Sequence, residues 1–169
     1  MGKIVFWTSI TVLFFSLLEA TILSNLLFLP VVPDLVLLIV VYVSFMNSSI
    51  TGSTVGFISG MLLDFLSASP VGLNAFTKSV TGFIAGKFSG SFNQNKILIP
   101  ALMGFSATLL KAILTLVLSL FFGSNILVYK LTGSVFWLEV LVNTICAPLV
   151  FALLGVFSAF FIEDKRLRE

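Results

Sequence analysis

The chain has 169 residues, of which 59% are apolar and only 9% charged, and its formal net charge is +2. Soluble domains carry roughly 25% charged residues, and one this small has too little interior to hide so much apolar surface, so the solvent for this chain is lipid. Six helical spans of about 20 residues each consume most of the length, which excludes an added soluble enzyme domain, and so small a net charge does not point to nucleic acid.

The first predicted span covers about Ile4 to Leu27. Lys3 followed by an apolar run imitates a signal peptide, but Leu18-Glu19-Ala20 is a poor small-x-small cleavage site, so the span is read as retained. Pro30 and Pro33 then break the helix. Span two, from about Asp34 to Met46, is short. It is expected to be tilted, to start further upstream, or to be re-entrant. Asn47-Ser48-Ser49 turns the chain into span three, about Ile50 to Leu66. Ser67 to Gly72 makes the next turn, and span four runs from about Leu73 to Gly90. After the polar loop Ser91 to Lys96, span five covers about Ile97 to Phe122. Gly123-Ser124-Asn125 begins the last connection, and span six covers about Val135 to Ile162. The connections are too short for domains of their own. Residues 1–169 are therefore read as one integral membrane domain, an all-α bundle of six transmembrane helices.

Basic residues set the orientation. With six spans both termini share a side, and that side collects Lys3, Lys87, Lys96, Lys165, Arg166 and Arg168. The other side collects only Lys130 once Lys78 and Lys111 are counted as intramembrane. This asymmetry predicts cytoplasmic termini. The mixed-charge tail Glu163 to Glu169 reads as a solvated helix end or a contact with a cytosolic partner.

The residue types present restrict the chemistry. There is no His, so the commonest general base and metal ligand are absent. The single Cys146 lies in an apolar run and reads as a small packing residue. No Gly-rich phosphate loop appears. The expectation is a protein that is not an enzyme and needs no cofactor or metal.

Span three carries Gly52, Gly56 and Gly60, then Asp64; span four carries Lys78, Gly82, Gly86 and Gly90. Each step is four residues, so each set shares one helix face. Glycine there lets backbones approach closely, which is how helices associate in lipid. The two spans are antiparallel neighbours, so the Asp64 end should meet the Asn74 and Lys78 end, and Asp64 should pair with Lys78. Alanine is expected to fit in place of these glycines. The bland alternative is that the seam only staples two helices together.

Glu19, Asp34, Asp64, Lys78, Lys111 and Glu139 lie in or beside spans. Charges at such depth are costly unless paired or wet. Asp34 reads as a helix N-cap at the interface. The intramembrane network is therefore assigned to Glu19, Asp64, Lys78, Lys111 and Glu139, with Lys111 able to serve either glutamate. Three readings stay open: a network fixing bundle register, an outward-opening cavity, and a surface that receives another protein's transmembrane helix.

The stretch Leu29-Pro30-Val31-Val32-Pro33-Asp34-Leu35-Val36-Leu37-Leu38 resembles the turn and second span of the rod shape-determining protein MreD family. So does Gly56-Phe57-Ile58-Ser59-Gly60-Met61-Leu62-Leu63-Asp64, followed by Ser69-Pro70-Val71-Gly72-Leu73-Asn74-Ala75-Phe76. The residues carrying the likeness are Pro33, Asp34, Asp64, Pro70 and Gly72, within residues 29 to 90. The resemblance implies a non-enzymatic scaffold of the bacterial cell-wall elongation complex in the inner membrane. It would bind the transmembrane helix of MreC and, through it, act with MreB, RodA and a penicillin-binding transpeptidase to organise peptidoglycan synthesis and cell shape. It also implies a fold similar to the substrate-binding subunits of energy-coupling-factor vitamin transporters, an analogy that assigns no function. The alternative is a small-molecule binding subunit of such an importer, with Trp137 and Tyr129 near Glu139 as part of its site. The plain reading of those two rings is interfacial anchoring.

Overall fold

The computed structural model describes residues 1–19, 21, 31–67, 70–90, 95–122 and 133–163. Among these, every regular element is an α-helix: α1 Gly2–Leu18, α2 Leu35–Met46, α3 Ser49–Leu66, α4 Leu73–Lys87, α5 Leu98–Phe122, α6 Ser134–Val156 and the single turn α7 Ser158–Phe161. Three of them, α3, α5 and α6, are long and apolar enough to cross a membrane; α1 and α2 are shorter apolar helices. The later part of the predicted first span, Lys130, Tyr129, the tail from Asp164 and the start of the last connection lie outside the described residues.

The short second helix is the centre of the bundle. Val36 to Val43 are buried completely or nearly so, and α1, α3, α4, α5 and α6 all pack on α2. An apolar helix with no polar face suits that position. At 12 residues it is roughly 18 Å long, whereas the hydrocarbon layer is about 30 Å thick. The surrounding helices reverse the usual burial and send apolar side chains outward. On α6, Leu141, Ile145 and Leu149 are exposed, while Glu139, Asn143 and Ala147 on the opposite stripe are buried.

The α3–α4 hairpin is built on the glycines. A Cβ added at Gly52 would fall on the Gly82 carbonyl oxygen, one at Gly56 on the Lys78 carbonyl oxygen, and one at Gly60 on the Asn74 carbonyl oxygen. Each step of four along α3 is thus matched by a step of four back along α4. Gly86 continues the register against the backbone of Ser48 and Ser49, where a Cβ would come within 2.5 Å. Real Cβ atoms do not approach backbone this closely, so even alanine is excluded without a shift of the helices; the expectation that alanine would fit fails because the opposing atoms are main chain. Ser53 and Ser79 add a side-chain hydrogen bond of 2.8 Å across the seam. Gly90 is not part of it: it lies beyond α4 in open space with φ +95°, a turn conformation that favours glycine. Gly104, which the sequence reading did not single out, makes a similar approach between α5 and α6, where a Cβ would meet Ala147.

At the end where the chain starts, Trp7 of α1 meets Phe160 of α7 with ring centroids 4.6 Å apart. Buried Asn47 ties α2 to this end. Its Nδ2 donates to the carbonyls of Val43 and Phe161 at 2.7 and 2.8 Å, and its Oδ1 accepts from the Glu163 N–H at 2.9 Å. This end is the terminal face; the opposite end is the far face.

Candidate functional site

Asp34 caps α2, and because α2 is short and central, its cap lies inside the bundle rather than at an interface. Asp34 Oδ1 accepts from the Leu37 N–H at 2.8 Å, as an N-cap should. The free N–H groups at this helix start are also served from two other helices. Glu19, just past α1, accepts from the Leu35 N–H, and Asn143 Oδ1 of α6 accepts from the Asp34 N–H at 2.9 Å. Asn143 is fully buried and donates its Nδ2 to Thr108 of α5 at 3.1 Å. Two anions at the positive end of a helix are favourably placed.

The other oxygen of Asp34 collects the lysines. Lys111 Nζ lies 2.7 Å from Asp34 Oδ2 and 2.9 Å from Glu139 Oε1, so it bridges the two carboxylates. Lys78 Nζ lies 3.4 Å from the same Asp34 oxygen, with its side chain 2% exposed. Two helices, α4 and α5, thus bring ammonium groups to one carboxylate, and α6 joins through Glu139 on Lys111. Asp34 is the hub of the network, a role the sequence reading gave to none of the acids and to Asp34 least, having placed it at the interface as a simple cap.

Asp64 does not belong to the network, and its expected pairing with Lys78 is not what the structure has. Asp64 is buried and holds the start of α4. Its carboxylate accepts from the N–H groups of Gly72, Asn74 and Ala75 at 2.8, 3.0 and 3.1 Å, and from the Asn74 side-chain amide at 3.0 Å. Gly72 has φ +97°, which only glycine adopts easily, and this turn aims the three N–H groups at one carboxylate. The Leu73 N–H bonds back to the Pro70 carbonyl at 3.1 Å. So Asp64, Pro70 and Gly72 form one structural unit. Lys78 is opposite Gly56, two turns deeper along α3, too far down the seam for Asp64 and well placed for Asp34. The antiparallel register inferred from the glycines needs no ion pair to hold it.

Above the hub is an open cleft of about 380 Å³. It is lined by the charged side chains of Asp34, Glu19, Glu139, Lys78 and Lys111 together with Val32, Pro33, Leu63 and Asn74. Lys111 is 11 residues short of the end of α5, so α5 rises roughly 16 Å beyond it. The cleft is recessed and faces the far face. Trp137 is exposed on the outer side of α6, against Phe136, and does not line it. Cys146 is half-buried beside the apolar core. Among the described residues no group of His, Cys, Asp or Glu is arranged to hold a metal ion.

Asn143 and Thr108 were missed by the sequence reading. The available signal was spacing: Asn143 is one helical turn from Glu139, and Thr108 one turn from Lys111, so each shares a face with a charge already singled out.

Comparison with known proteins gives one family. The family model described as rod shape-determining protein MreD matches residues 1–157. No curated protein and no solved structure matches.

Proposed function

The chain belongs to the rod shape-determining protein MreD family, a family of membrane and cell-shape proteins, and from that premise we propose that it is a non-enzymatic scaffold of the cell-wall elongation complex. The family match over nearly the whole chain carries this reading. Its work is to hold the single transmembrane helix of MreC, and through MreC to act with MreB, RodA and a penicillin-binding transpeptidase in organising peptidoglycan synthesis. It sits in the bacterial inner membrane as one domain of six spans with cytoplasmic termini, which places the terminal face inside and the cleft toward the outer side. The fold is proposed to resemble that of energy-coupling-factor substrate-binding subunits.

The physical support is that the molecule presents apolar side chains to its surroundings on its outer helices and gathers Glu19, Asp34, Lys78, Lys111 and Glu139 around the N-terminus of α2. The buried network fixes α2 in the bundle and with it the relative positions of the helices that a partner meets. The importer alternative draws no support from family membership. The test is replacement of the chromosomal gene by one encoding the protein with an affinity tag. Rod shape should be kept, MreC should co-purify in mild detergent, and deletion should give rounded cells. Loss of the gene with shape and MreC membrane complexes unaltered would refute the proposal.

A further inference from the structure

We propose that the cleft at the far end of α2 is the seat of a basic side chain, lysine or arginine, carried by the membrane segment of the single-span partner. This rests on the partner-helix reading above and adds the chemistry of the contact.

Among the described residues the charges lining the cleft do not balance. Three carboxylates, Glu19, Asp34 and Glu139, meet two ammonium groups, Lys78 and Lys111. Both lysines reach Asp34, and Lys111 also reaches Glu139. Glu19 accepts from the Leu35 N–H and feels Lys78 electrostatically, but no ammonium among the described residues is within ion-pair distance of it. The positive end of α2 offsets part of its charge. The remainder is met in the cleft by water, a proton or a cation, and of these a cation brings a full opposite charge.

The shape of the cleft favours a cation on a long stem. At about 380 Å³ it has room for roughly a dozen waters at 30 Å³ each, far more than a single bridging water needs. Its lining joins apolar side chains, Val32, Pro33 and Leu63, to the charged groups. Lysine and arginine have that division: an aliphatic stem that packs on apolar surface and a charged tip that seeks an anion. A basic residue in a partner span is costly in lipid, so the same contact gives the partner a reason to stay.

The test uses the full chain and its tagged single-span partner, purified together from membranes. Glu19→Gln is expected to lower partner recovery about tenfold or more while leaving accumulation of the chain unchanged. One basic residue of the partner's span, changed to Glu, should abolish recovery, and Glu19→Lys should restore it. In a Cys146→Ser background, Ser67→Cys should form a disulfide with a cysteine placed next to that basic residue, and Phe121→Cys should not. If Glu19→Gln fails to accumulate, the disulfide alone decides. Wild-type recovery with Glu19→Gln, or no cross-link at Ser67→Cys, overturns the proposal. So does an amine-bearing small molecule found in the purified chain with the partner dispensable. If the unaltered chain captures no partner at all, it is the scaffold reading that fails instead.

Discussion

Asp34→Asn separates the network found in the structure from the pairing suggested by sequence. The substitution keeps the shape of the side chain and an oxygen for the Leu37 N–H, so the cap on α2 survives. What goes is the carboxylate facing both lysines. Lys111 retains Glu139 at 2.9 Å, whereas Lys78, 2% exposed, has Asp34 as its ion-pair partner among the described residues. Removing one member of a buried pair commonly costs about 3–5 kcal/mol. The Lys78 contact is long at 3.4 Å and the Asp34 side chain retains 13% exposure, which argues for the lower end, about 3 kcal/mol. Lys78→Met removes the stranded ammonium, so the double variant should recover most of that loss. The assay is an SDS titration of the four proteins in mixed micelles, followed by circular dichroism. A coupling of about 2 kcal/mol between Asp34→Asn and Lys78→Met is expected, against near-additivity for Asp64→Asn with Lys78→Met. Additivity within about 0.5 kcal/mol for the first pair, or strong coupling in the second, would refute the geometry.

In the same titration, Asp64→Ala should cost about 2 kcal/mol, the upper end for a lost N-cap, because four hydrogen bonds at the start of α4 go with it. Gly56→Ala and Gly60→Ala should each destabilise by about 1–3 kcal/mol through overpacking, and Gly90→Ala should leave helix packing untouched; equal behaviour of all three would remove the seam. Asn143→Leu should lose about 1–3 kcal/mol, since the Asp34 N–H and Thr108 both lose a buried partner; wild-type stability would show those bonds to be dispensable. For orientation, in a Cys146→Ser background, Lys3→Cys should resist an impermeant thiol reagent in intact cells while Ser67→Cys reacts once the outer barrier is opened. The opposite pattern would invert the proposed topology.

The helices were legible because lipid imposes long apolar runs and because proline, glycine and serine turns interrupt them. Spans two and three were read to within a residue or so of α2 and α3. The hairpin register was legible too, because glycines at intervals of four leave few other ways to pack. The hub was not. Asp34 has the sequence of an ordinary N-cap, and only the central position of α2 turns that cap into a buried charge. The signal was present in the shortness of the second span: a helix of 12 residues cannot bring both ends to the membrane surfaces. Asp64 and Lys78 were paired because both carry charge near one turn. Three backbone N–H groups at a glycine turn compete for the same carboxylate, and they have no signature in side-chain charge.

The central position of α2 also bears on the order in which the molecule is made. Asp34 leaves the ribosome 44 residues before Lys78 and 77 before Lys111. Until those lysines arrive, the carboxylate has its own helix start for company, with Glu19 as a second anion beside it. The body of α2 tolerates the wait, since its side chains are as content in lipid as in protein. The cap does not, and a half-made chain has every reason to keep that end near water. The α3–α4 hairpin, which zips locally on its glycines, delivers the first cation; α5 delivers the second and, with α6, closes the wall. This order predicts a late step in which α2 is enclosed and its acidic end drawn inward, and a chain truncated before Lys111 should remain open at the centre.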